Sequence, residues 1–247
     1  MGKRVWKELY QLNRESLAKG LELARRMISD YPDSPEGYKM VSLLANHQVI
    51  MGFASDPDGL KNEAERSVRT ALSFATNDEH IYWALGIVLR VQNRFDDAEA
   101  AIRRSIEINP NFSLGYGAYG TALAYGGRPT EAIAKTEYAI RLNPKDPSIF
   151  FRYTVLSVAY FTLEDYERSL KWAKQAAENK PTYWVPHAIL AALQSILGRG
   201  EQAKKSAQAL LQIVPTISLG SLPVEPIPPV EPRRKFYEAL SRLGIPG

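Results

Sequence analysis

Three histidines, His47, His80 and His187, are the residues of this chain best suited to shuttling protons or holding a metal. No cysteine accompanies them, which excludes disulfides, thiol catalysis and cysteine metal sites. A metal site built from His47 and His80 would need further ligands, and the sequence supplies none at a recognisable spacing. Asp96, Asp97 and Glu99 gather where a helix begins, and their attraction to its positive end is reason enough for them. Gly115, Gly117 and Gly120 spell G-x-G-x-x-G. That fingerprint binds a pyrophosphate only in the turn between a strand and a helix. Here a helical pattern and Pro110 precede it, and the glycines themselves fall inside the next helical pattern. We therefore expect no catalytic residue, no cofactor, no metal and no enzyme activity.

The elements that carry these residues repeat. Tyr82, Leu85, Gly86, Leu89, Ala98, Ile102, Ser105 and Pro110 recur thirty-four residues on as Tyr116, Tyr119, Gly120, Leu123, Ala132, Thr136, Ala139 and Pro144. DDAEAAIRRSIEINP at 96–110 answers TEAIAKTEYAIRLNP at 130–144. A fixed period of this length signals a solenoid of helix pairs. The small residues mark where paired helices cross closely, and the prolines end the second helix of each pair.

This pattern resembles the tetratricopeptide repeat, a thirty-four-residue helix–turn–helix hairpin. Pro181 and Pro215 continue the beat. Tyr153, Leu156, Ser157, Ser169 and Ala173 fill a repeat that sits three residues late, as if residues 147–151 lengthen the start of its first helix. Tyr38, Val41, Ser42, Ala64, Val68 and Ala71 fit an earlier repeat, with an insertion around 51–62. Gly20, Ala24, Met27 and Pro32 read as a lone second helix. The resemblance covers 13–215 and implies an all-α fold, a right-handed superhelical solenoid of antiparallel helix pairs. We expect a solenoid domain over 1–215, with a leading helix 13–30 capped by Asn13. Five full repeats would occupy about 35–76, 79–112, 113–146, 147–183 and 184–217. Residues 216–247 would form a proline-rich segment and a C-terminal capping helix.

Bulk properties agree with a scaffold. The net charge of +4 is mild and Lys and Arg are spread through the repeats, so a nucleic-acid partner is not expected. The first ten residues carry Lys3, Arg4, Lys7 and Glu8 and lack the apolar core of a signal peptide, and cytoplasmic placement is the expectation. Residues 181–198 are uncharged for eighteen positions, yet they fall in register as the first helix of the last repeat. A buried repeat helix, not a membrane span, is expected there.

The resemblance also implies a groove lined by the first helix of each pair, here called helix A, with the second called helix B. Carried over position by position, its lining includes Lys39, Asn46, His47, His80, Trp83, Ile87, Arg90, Tyr125, Phe151, Thr154 and Phe161. This apolar and aromatic face, polar toward its N-terminal end, suits a peptide or protein segment with aliphatic anchors. Phe151, Phe161 and Ile196 have a second reading, packing between repeats or under the tail. The chaperone-binding carboxylate clamp of some family members is poorly matched beyond Lys39 and Asn46.

Pro223, Pro226, Pro228, Pro229 and Pro232 break helix formation, and an amphipathic helix over 233–243 follows, with Phe236, Leu240 and Leu243 on one side. Phe236 and Leu240 are expected to dock on the last repeats, because a solenoid's final repeat otherwise exposes apolar surface. The alternative is a free proline-rich ligand. The ending FYEALSRLGIPG, the long first helix pair and the insertion also resemble the repeat region beside cyclase or winged-helix domains in bacterial signalling proteins. The expectations are therefore a non-catalytic peptide-binding scaffold or, alternatively, a regulatory module of a larger bacterial signalling protein.

Overall fold

The structure, a computed structural model, describes residues 2–221 and 231–247. Among these residues it is all-α. Helices α1 (Gly2–Gln11), α2 (Arg14–Asp30), α3 (Pro35–Ile50), α4 (Pro57–Phe74), α5 (Glu79–Val91) and α6 (Phe95–Ile108) come first. They are followed by α7 (Ser113–Tyr125), α8 (Pro129–Leu142), α9 (Ile149–Thr162) and α10 (Tyr166–Asn179). Helices α11 (Trp184–Ile196), α12 (Gly200–Ile213) and α13 (Glu231–Ser241) complete the chain. The helices form two compact units, Met1–Tyr119 and Gly120–Gly247, divided within α7.

In the first unit α2 to α6 pack in sequence, each on the next, and the helices A also touch, α1 on α3 and α3 on α5. In the second unit α8 to α12 pack likewise, with α9 against α11. Close crossings fall where the sequence places its small residues. A methyl group on Gly86 of α5 would land on Ile102 of α6, and one on Gly120 would land on the Thr136 hydroxyl. At the α9–α10 crossing two serines replace glycine. Ser157 Oγ donates to the Ser169 carbonyl (2.9 Å) and Ser169 Oγ to the Ser157 carbonyl (2.7 Å), so both hydroxyls are satisfied without water.

The turns from helix A to helix B share one construction. Asn93, Gly127, Glu164 and Gly198 all have φ between 59° and 77°. In each turn the next N–H donates five residues back: Arg94 to Leu89, Arg128 to Leu123, Asp165 to Tyr160 and Arg199 to Gln194. This left-handed residue with a backward bond satisfies carbonyls that the helix end leaves open. The first two turn residues are 34 positions apart, and so are the last two; the middle interval is three longer.

Those three residues do not mainly lengthen a helix. Helix α9 is one residue longer than α7, 14 against 13. The other two enlarge the preceding turn, 143–148, where Asp146 accepts from the Ser148 amide (2.7 Å) and hydroxyl (2.6 Å) and pairs with Arg152 (2.9 Å).

The expected helix starts are present. Asn13 and Ser16 form a reciprocal capping box on α2, Ser34 caps α3 ahead of Pro35, and Asp56 caps α4 ahead of Pro57. The leading helix, however, is not alone. Helix α1 and the turn after it bury Val5, Leu9 and Leu12, and Glu8 holds Lys19 at 3.1 Å. The insertion is a short loop followed by a lengthened α4, and Arg14 pins the loop by donating to the Phe53 carbonyl at 3.0 Å. The uncharged stretch 181–198 forms the buried α11, and no helix among the described residues is long and apolar enough to cross a membrane. Most of the expected polyproline segment lies in 222–230, outside the described residues, but Pro232, expected to break helix formation, stands in the first turn of α13, where its missing N–H needs no partner.

Candidate functional site

In the first unit, α3 and α5 carry seven of the residues assigned from the sequence to the groove. Lys39, Asn46 and His47 follow helical spacing along α3, and His80, Trp83, Ile87 and Arg90 do so along α5. The two helices are in contact. All but His80 are buried.

The charged members are held in place. Lys39 Nζ lies 2.8 Å from Glu36 and 3.1 Å from Asp78. Burial works against its charge, yet the two carboxylates together hold it above the ordinary lysine range. Burial likewise opposes the Asp78 carboxylate, but Lys39 and the backbone amides of His80 and Ile81 keep it below its ordinary value. His47 is pushed down to about 4, by burial first and further by the nearby Arg90 charge, and its Nδ1 donates to the Leu43 carbonyl at 2.7 Å. It is thus a neutral donor at physiological pH. Asn46 is 1% exposed, and neither its amide oxygen nor its nitrogen has a hydrogen-bond partner among the described residues.

His80 sits among rings. Phe112 stands edge-on at 4.7 Å, Trp6 of α1 at 5.8 Å and Trp83 at 6.4 Å. Burial and the Lys39 charge both lower its pKa. The donor atoms of Asp78, Glu79 and His80 lie within 4.8 Å of one another, the spacing of a metal-binding group. Two of these residues already have work. Asp78 caps α5 and holds Lys39, and Glu79 accepts from the Asn109 amide at 3.1 Å.

In the second unit the assigned residues serve packing. Tyr125 is buried at the end of α7. Phe151 is half-buried against Phe150 (4.3 Å) and Tyr183 (5.1 Å). Thr154 is buried and its hydroxyl donates to the Phe150 carbonyl at 2.8 Å. Phe161 lies edge-on to Phe236 of α13 at 6.0 Å, and α13 packs on α11. His187, at the aromatic position of its repeat, is bonded through Nε2 to the Pro181 carbonyl at 2.9 Å.

Sequence reasoning missed Trp6 and Phe112 as neighbours of His80, and Asp78 as the anchor of Lys39. The spacing of Val5, Leu9 and Leu12 carries the signal for α1, since it places three apolar side chains on one helical face.

A tetratricopeptide repeat family model matches residues 83–147 and again 118–183. No curated protein matches the chain by sequence. Among solved structures, PilF of Pseudomonas aeruginosa is similar over 87% of this chain and 92% of its own, at 15% identity and a TM-score of 0.55. A thermophilic tetratricopeptide-repeat protein of Thermus thermophilus is similar over 85% of this chain and 100% of its own, at 17% identity and a TM-score of 0.56. Human IFIT1, solved as a dimer with PPP-AAAA, is similar over 81% of this chain and 46% of its own, at 16% identity and a TM-score of 0.67. At such identities the likeness is one of fold. Matched by family pattern across 83–183 and by architecture beyond it, the chain folds as an all-α solenoid of the tetratricopeptide-repeat type.

Proposed function

We propose that the protein is a non-catalytic scaffold whose helix-A face binds a peptide or protein segment, with Asn46 of the first unit as a polar anchor that is reached once the side chains covering it move aside. The observation that supports this reading is the Asn46 amide. A buried amide without a partner costs about 1–3 kcal/mol. A polar side chain placed at a cost to its own fold marks a candidate for function. An Asn side chain offers both a donor and an acceptor, the complement of a peptide group. Trp83 and Ile87 on the adjacent helix A, each less than a tenth exposed, add apolar side chains to the same face.

The test is Asn46→Leu. The variant is expected to melt no lower than wild type, because an apolar side chain of similar size replaces an unsatisfied one. Captured partners are expected to be lost or weakened about tenfold, the equivalent of one good hydrogen-bonding anchor. A variant that gains stability and captures the same proteins as wild type would sink the reading. The FYEALSRLGIPG ending, which resembles repeat regions of bacterial signalling proteins, lies within and just after α13, and its burial on α11 accounts for its apolar residues without a linked enzyme.

A further inference from the structure

The second unit shows what a helix-A face of this chain accepts. Helix α13 lies on α11, the helix A of the last repeat. It buries Phe236, Ala239 and Leu240 completely or nearly so, all on one stripe. Phe236 meets Phe161 at the end of α9, another helix A and one of the residues assigned to the groove. Beside it Lys235 Nζ pairs with Glu164 at 2.6 Å. The occupant is therefore an amphipathic helix with a basic residue, an aromatic next to it, and an aliphatic four positions further on. This is the helix-in-groove mode of recognition, with the anchor spacing that mode requires.

Helix α13 is fastened by its buried apolar stripe. The ion pairs of Arg234 with Glu231 (2.5 Å) and with Glu238 (2.6 Å) lie within the helix and do not tie it to the repeats. One ion pair that reaches the repeats, Lys235–Glu164, is exposed. Eleven residues are also too few to stay helical alone in water, so docking and folding of α13 are one event. The chain end has its own anchor: the Leu219 N–H donates to the Pro246 carbonyl at 2.7 Å and Ile245 is buried. A competitor thus has to replace only the helix. Helix α11 is apolar nearly all round, so its face needs a cover at all times. Exchange of one helix for another leaves it covered before and after.

We propose that the face formed by α9 and α11 is a helix-binding surface, and that α13 is its resident occupant, exchangeable for a partner's amphipathic helix with the same basic–aromatic–aliphatic spacing. The proposal rests on the reading that helix-A faces of this chain take partners, and adds the partner's chemistry and the competition from within.

The probe is a fluorescent peptide of residues 231–241, titrated against the full chain. Wild type is expected to bind it weakly, because the face is filled. Lys235→Glu, which repels Glu164 and leaves the buried residues intact, is expected to bind it at least threefold more tightly. Phe236→Asp with Leu240→Asp, which undocks the resident helix, is expected to bind it at least tenfold more tightly. Adding Glu164→Lys is expected to reverse that gain, and a peptide carrying Lys235→Glu to restore it. Should the double variant aggregate, Lys235→Glu alone decides. Equal peptide affinity in wild type and Lys235→Glu, or a gain indifferent to Glu164→Lys, overturns the proposal and makes α13 a fixed cap. The Asn46→Leu result belongs to the first unit, so either reading can fail without the other.

Discussion

His47 is a base kept neutral by burial, and that makes it a source of pH dependence. Its folded pKa of about 4 lies below the ordinary 6.5, so its contribution is complete above pH 6.5 and is lost as pH falls toward 4. Between pH 7 and pH 5 this one group is expected to lower stability by about 2 kcal/mol. His80 and His187 are also shifted downward by burial and act in the same direction. Denaturant midpoints at the two pH values, for wild type and His47→Gln, check the claim: the variant should show a smaller drop. A second residue-scale prediction concerns the Arg152–Asp146 pair, which is nearly sealed from water. Arg152→Met leaves a buried carboxylate without its cation and is expected to cost about 3–5 kcal/mol in thermal unfolding. Adding Asp146→Asn should recover part of that loss.

At the scale of elements, the crossings set the spacing of the helices. Gly86→Ala pushes a methyl group into Ile102 and against the Ala98 carbonyl, and overpacking of this kind costs about 1–3 kcal/mol. Ile102→Ala in the same chain makes room, so the double variant should lose less than the sum of the two single losses. Glycine and serine crossings, proline stops and capping residues were legible in the sequence because each acts within its own hairpin. Helix α1 was less so, since its apolar residues sit among Lys3, Arg4, Lys7 and Glu8 and no proline marks its end. The site was legible as a set of positions but not as an environment. Sequence spacing put Lys39 and Asn46 on one face of α3. That Asp78 would hold the first while none of the described residues answers the second depends on neighbouring repeats, about which a helical period is silent. Phe161 shows the same limit: its spacing suits a groove, and a helix far along the chain covers it.

For the whole molecule, repeats that touch mainly their neighbours predict uneven loosening. Gly86→Ala is expected to speed amide hydrogen exchange in α5 and α6 while α10 to α12 keep wild-type protection. Uniform acceleration along the chain would show instead that the two compact units unfold as one. The signal can be read peptide by peptide by mass spectrometry.

Glu164 and Gly198 occupy the same backbone geometry 34 residues apart, each followed by the same backward bond. They are therefore matching splice points: a cassette from 165 to 198 is expected to be duplicable with both junctions closing as native turns. Genetic copying in whole multiples of that cassette alters how far the protein reaches while leaving every local joint as it was.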